Sequence, residues 1–169
     1  VRETVFNWLQ FELAGRRCLD MFAGSGALGL EALSRGAAEV VFVESDARAA
    51  GSIRSALQEW RAGDRGRVEA VDAFSFLRCG GTRPFDVVFL DPPYAERWLA
   101  RGCEELERGG WLSADALVYL EDEAARGVPE LPAGWAILRS KKAGEVGYHL
   151  ARRGAGPAAP AHITNEGSA

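Results

Sequence analysis

Histidine, cysteine and methionine are scarce in this 169-residue chain, with two, three and one copies. His149 and His162 alone supply neither a His-rich metal centre nor a Ser-His-Asp relay well. Cys18, Cys79 and Cys103 are odd in number and widely spaced, with no C-x-x-C. That argues against a disulfide framework or a zinc site and fits a reducing compartment. No apolar run approaches the roughly 18 residues of a membrane span, and Val1-Arg2-Glu3-Thr4 lacks a signal peptide's charged-then-apolar order. The expectation is a soluble cytosolic protein with no membrane partner and no metal. Internal repeats are also lacking.

What the chain does have is apolar residues, 47% of the total, enough to bury the core of one domain, expected over 1–153. The net charge of −4 weighs against nucleic-acid binding, but the charge is unevenly placed. From Glu96 to Glu130 nine acids face four arginines, whereas Arg139, Lys141, Lys142, Arg152 and Arg153 face only Glu145. This C-terminal basic stripe reads either as a contact for RNA phosphates or as an ordinary solvated hairpin face.

Val5, Phe6, Leu9 and Leu13 recur at near-helical spacing, which predicts an amphipathic helix over 2–13. Strands at 17–22, 39–44, 67–71 and 85–90 then alternate with helices at 26–35, after Asp46, and at 73–79. On the second of these helices Ala50, Ile53, Leu57 and Trp60 share one face. A helix at 98–107 and a fifth strand at 116–121 follow. Residues 135–139 and 146–152, joined by 140–145, read as an antiparallel hairpin. The implied architecture is α/β: a seven-stranded, mostly parallel sheet with helices on both faces and a C-terminal hairpin closing it. The Gly, Ala and Pro of 154–169 predict a disordered tail.

Two features carry chemistry. Gly24-Ser25-Gly26-Ala27-Leu28-Gly29 lies between the first strand and the first helix of the alternation, where small residues let backbone N–H groups approach a ligand. Glu44, 20 residues after Gly24, ends the next strand at the spacing that suits ribose hydroxyls. Asp72 is placed to cap the helix that follows it, and its carboxylate can also receive an adenine amino group while the Ala73 N–H meets a ring nitrogen. Asp20 either faces the cofactor's ammonium or caps a loop. The turn alone fits both NAD and S-adenosylmethionine.

Asp91-Pro92-Pro93-Tyr94 after the apolar run Phe85–Leu90 decides between them. Two prolines cannot continue a sheet, so the chain leaves the strand as a stiff corner. Asp91 and the Pro92 carbonyl can accept the two N–H bonds of a planar amine, aiming its lone pair at an activated methyl, while Tyr94 stacks on an extruded base. Hydride transfer has no evident use for these groups.

Taken with Val1-Arg-Glu-Thr-Val-Phe-Asn-Trp-Leu9, Cys18 to Arg35, Val71 to Leu77 and Gly110-Trp-Leu112, these segments resemble the bacterial 16S ribosomal RNA guanine-N2 methyltransferases of the RsmD type, over about residues 1 to 152. The resemblance implies a Rossmann-like class I methyltransferase fold. It implies S-adenosylmethionine bound by Phe22, Gly24, Ser25, Gly26 and Glu44, its adenine at Asp72 and Ala73, and a target guanine held at Asp91 to Tyr94; Asp20 joins the expected cofactor set from its place before the glycine turn. It further implies 16S ribosomal RNA of the assembling small subunit as partner. A monomer is expected, with Arg2, Lys141, Lys142, Arg152 and Arg153 as the phosphate contacts. Such proteins carry a basic N-terminal arm before this first helix, where the present chain begins. Two rival readings remain: a DNA adenine-N6 methyltransferase using the same Asp-Pro-Pro-Tyr, and a non-catalytic RNA-binding assembly factor.

Overall fold

The computed structural model describes residues 1–81 and 83–154. A first helix, α1 (Arg2–Trp8), precedes β1 (Arg17–Met21), α2 (Ala27–Ser34), β2 (Glu39–Val43), α3 (Ala47–Glu59), β3 (Gly66–Glu69), α4 (Ala73–Arg78) and β4 (Phe85–Leu90). Then come α5 (Leu99–Arg108), β5 (Leu112–Glu123), β6 (Trp135–Ala143) and β7 (Val146–Arg153). The seven strands form one sheet in the order β3-β2-β1-β4-β5-β7-β6. Strands β1 to β5 are parallel, and β7 runs antiparallel between β5 and β6.

Central strands are covered on both faces, which is why Val40–Val43 of β2 and Val87–Leu90 of β4 are unbroken apolar runs. On one face Leu19, Met21, Val41, Val88 and Leu90 pack under Phe74 and Leu77 of α4 and Leu99, Cys103 and Leu106 of α5. On the other, Val40, Phe42, Val87 and Phe89 pack under Val5 and Phe6 of α1, Leu33 of α2 and Ile53 and Leu57 of α3. The strand order reverses between β1 and β4. Such a switch point opens a crevice at the strands' carboxyl ends.

Glycine is required where α2 crosses the sheet. A Cβ on Gly29 would collide with the Phe42 ring and lie 3.0 Å from Asp20 Oδ2. Alanine is intrinsically better in a helix by up to about 1 kcal/mol, but overpacking a filled site costs about 1–3 kcal/mol. Gly29→Ala is therefore expected to lower the urea midpoint. An unchanged midpoint would mean that Phe42 can swing aside.

Several boundaries differ from the sequence expectation. The helix expected over 2–13 stops at Trp8; turns closed by Leu9 N to Val5 O and Glu12 N to Leu9 O take over. Leu9 and Leu13 stay buried in those turns, so apolar spacing was satisfied without a helix, and Phe11 is left 87% exposed. Trp60 ends α3 as its cap residue instead of sharing the face of Ala50, Ile53 and Leu57, and it is half exposed. Ladder pairing carries β6 to Ala143 and restarts β7 at Val146, so the linker expected at 140–145 shrinks to Gly144 and Glu145. The φ of 59° at Gly144 suits this tight reversal. Strand β5 runs well beyond the expected 116–121 at both ends. The expected tail, apart from Gly154, lies outside the described residues.

Candidate functional site

The carboxyl ends of β1, β2 and β4 open into one cleft of about 630 Å³. Its walls include Phe22, Gly24, Glu44, Asp72, Ala73 and the whole corner Asp91 to Tyr94. Two motifs nearly 70 residues apart in the chain thus face the same space.

The turn after β1 is held in shape by β2. Phe22 has φ 56°, a left-handed conformation that costs a non-glycine residue energy and that clusters at functional sites. Ala23 N donates to Val43 O, Gly24 N to Glu44 Oε1 at 2.8 Å, and Asp46 N to Glu44 Oε2 at 2.8 Å. Each Glu44 oxygen keeps a second lone pair for a hydroxyl. Gly24 also has a positive φ, 58°, and a Cβ there would meet nothing within 4 Å, so the turn borders open space. Ser25 is exposed and Gly26 buried, and both lie outside the cleft walls. Gly26 serves packing: its Cβ would come within 2.9 Å of Ile53.

Asp72 caps α4 through Oδ2, which takes the Ser75 N–H at 3.0 Å and the Ser75 hydroxyl at 3.3 Å. Among the described residues its Oδ1 accepts nothing. Ala73 begins the helix, where a backbone N–H has no intrahelical partner. Asp20 takes the capping alternative: it is 2% exposed, accepts the Gly29 N–H of α2 at 3.0 Å, and does not line the cleft. Burial pushes its carboxyl up to about 8, against that hydrogen bond and with the Glu44 charge.

The corner is built from the end of β4. Asp91 is half-buried, and its carboxyl is pushed up to about 8 by burial first, then by a hydrogen bond to Glu121 and the charges of Glu121 and Asp20. Tyr94 is pushed up to about 12 by burial and by surrounding carboxylates. A tight turn at Tyr94–Glu96 follows. Arg126 Nη2 donates to Tyr94 O at 2.6 Å while its Nη1 meets Asp122 Oδ1 at 2.8 Å. This guanidinium ties the corner to the end of β5.

Known proteins resemble the chain over nearly all of its described length. The model of the family described as conserved hypothetical protein 95 matches residues 1–152. Ribosomal RNA small subunit methyltransferase D of Escherichia coli K12 is 46% identical over 153 residues, covering 90% of this chain and 76% of that protein. The chain belongs to the RsmD family. Its namesake in Haemophilus influenzae is 40% identical over 156 residues, covering 89% of this chain and 78% of that one. The solved structure of yhhF from Escherichia coli matches with a TM-score of 0.86 at 44% identity, over 90% of this chain and 84% of its own. The expected Rossmann-like class I methyltransferase fold is the fold found.

In this RsmD-family chain the basic stripe of the sequence does not survive as one surface. Because β7 is antiparallel to β5, Lys141 and Lys142, which pair with Tyr148 and Gly147, sit at the cleft end of the sheet. Arg152 and Arg153 lie about 17 Å away along the strand. Arg152 there faces Glu12 at 3.6 Å, and Arg153 is bound by Glu107 and the Ser113 carbonyl. The expected single stripe is thus split between the two ends of the sheet. Arg2 is exposed on the first turn of α1.

Sequence reasoning missed four residues of this RsmD-family site. Ser45 lines the cleft beside Glu44. Trp98 stacks on Phe22 at 5.7 Å and meets Phe74 edge-on at 5.5 Å, giving the cleft an apolar wall. Its place four residues after Tyr94 was the available signal. Glu121 and Arg126 gave none, since Glu121 comes beside the corner through strand pairing and Arg126 reaches it from the turn after β5.

Proposed function

We propose that the protein transfers the methyl group of S-adenosylmethionine to the exocyclic N2 of a guanine in 16S ribosomal RNA, within an assembling small subunit. The observation that carries this reading is the single cleft shared by the Gly24 turn, Glu44 and the Asp91–Tyr94 corner. The name of the Escherichia coli relative supports the RNA class. The residues fit the donor: Glu44 has lone pairs for ribose hydroxyls, and Asp72 Oδ1 with the Ala73 N–H matches an adenine edge. Phe22 and Trp98 supply an apolar wall. Asp20, set behind the turn, acts on the donor site only by fixing α2.

When bound, the donor supplies a sulfonium methyl that is already activated. The chain's own task is to present the amine. Asp91 and the Pro92 carbonyl accept its two N–H bonds, Tyr94 stacks on the base, and Arg126 holds the Tyr94 backbone in place. With the amine's lone pair aimed at that methyl, Asp91 would take the proton that the nitrogen releases as the methyl is transferred. Lys141 and Lys142 at the cleft end, and Arg2 on the first turn of α1, contact phosphates.

Asp91 accepts hydrogen bonds best as a carboxylate, and its pKa is about 8. The value of kcat/KM is therefore expected to rise with pH and level off above about 8. Asp20 has a similar pKa, so the profile of Asp20→Asn separates the two; the rise should persist. A flat profile in the unmodified protein would remove Asp91 from this role.

The reading as a whole is tested with labelled S-adenosylmethionine and small-subunit particles, or naked RNA, from cells lacking the gene. Nucleoside digestion should place the label in N2-methylguanosine. Label in N6-methyladenosine would overturn the guanine assignment, and no label would overturn methyl transfer to this RNA.

A further inference from the structure

We propose that Glu121 selects guanine by accepting its N1–H beside the reacting amine, an inference that rests on the methyl-transfer reading above and adds the residue that reads the base. Strand β4 ends at Leu90, which pairs with Leu120, so Asp91, the residue that follows the strand, comes beside Glu121 of β5. The Glu121 carboxyl is close enough to Asp91 to raise the Asp91 carboxyl. Asp91 and Tyr94 line the cleft, and Glu121, which does not line it itself, is close enough to Tyr94 to raise its phenol. Strand β5 outruns β4 and stays paired with β7 through Glu121, Asp122 and Glu123, so Glu121 projects from rigid backbone.

Asp91 keeps its proton up to about 8 beside Glu121, and that proton stands where a bound base would supply an N–H donor. The Watson–Crick edge of guanine carries two adjacent parallel donors, N1–H and N2–H. It can displace that proton and satisfy both acids at once, with N2–H on Asp91 and N1–H on Glu121. Adenine carries a donor at N6 but an acceptor at N1, which would set a lone pair against a carboxylate. Unpaired acceptors facing one another are what reject a wrong substrate most strongly. The corner Asp91–Tyr94 accepts any planar amine, whereas the second carboxylate accepts the guanine edge and rejects the adenine edge.

The probe is 2-aminopurine, which keeps the amine at C2 but has an acceptor at N1. Particles are reconstituted with RNA carrying guanine or 2-aminopurine at the methylated position, and methyl transfer is compared by kcat/KM. The unmodified protein should prefer guanine by about 5- to 150-fold, the worth of one well-placed base contact. In Glu121→Gln the amide can turn its NH₂ toward N1, so transfer to guanine should fall, transfer to 2-aminopurine should rise, and the preference should shrink to within about threefold. Binding of S-adenosylhomocysteine by calorimetry confirms that the variant is folded. Equal use of the two bases by the unmodified protein overturns the proposal even if the variant fails to fold. An undiminished preference in folded Glu121→Gln also overturns it while leaving methyl transfer intact. Absence of transfer to guanine itself overturns both readings together.

Discussion

Alanine in place of Asp91 is expected to lower kcat by about 10²- to 10³-fold, the loss seen when a preorganised electrostatic group is taken from a reacting centre. The effect should fall on turnover and leave binding of S-adenosylhomocysteine unchanged, because Asp91 faces the amine while the donor's contacts come from the Gly24 turn, Glu44 and α4. Folding should survive. Asp91 is one half of a repelling acid pair, and its removal relieves Glu121 of that neighbour. Single-turnover methyl transfer on small-subunit particles measures the step directly. Near-normal turnover in a folded Asp91→Ala protein would make the proline corner a structural element and remove the mechanism built on it.

The second large effect is expected at Glu44. Its two oxygens already fix the N–H groups of Gly24 and Asp46, so Glu44→Ala removes the proposed ribose contact and also frees the turn that shapes the cleft. Calorimetry should show S-adenosylmethionine binding weakened by about 1–3 kcal/mol, the scale of hydrogen bonds to a charged group. Glutamine should do nearly as badly. Its amide keeps one acceptor but points an NH₂ donor at a backbone N–H, so one of the two tethers becomes a repulsion. Unchanged affinity in both variants would place the donor elsewhere.

These two residues were legible in the sequence because each belongs to a local pattern. Asp91 is marked by the prolines beside it, and Glu44 by its 20-residue distance from Gly24 across one strand-helix-strand unit. Residues whose role arises from pairing between strands were not legible. Glu121 looks like any acid ending an apolar run until the Leu90–Leu120 register sets it against Asp91. Lys141 and Arg153 look like members of one basic stripe until the direction of β7 sends them to opposite ends of the sheet. The same holds for the helix expected over 2–13. Apolar spacing reports which side chains are buried, and the turns after Trp8 bury Leu9 and Leu13 as well as a helix would. Asp20 was left open between two roles because a carboxylate at a strand's end suits a ligand and a helix terminus equally. Burial against Gly29 chose the second.

The raised carboxyls of Asp20 and Asp91 make the proton a ligand of the folded chain. Each holds its proton to about 8, whereas an ordinary aspartate releases it near 3.8. Between those values the native state binds more protons than the unfolded state, so the stability owed to these groups declines as pH rises. It is fully present below 3.8 and gone above about 8. Methyl transfer as proposed runs the other way, since Asp91 works after its proton has left. An RNA base that supplies N–H groups to this pair takes over the task of the lost proton, so substrate and acid act on the fold as competing stabilisers of one position.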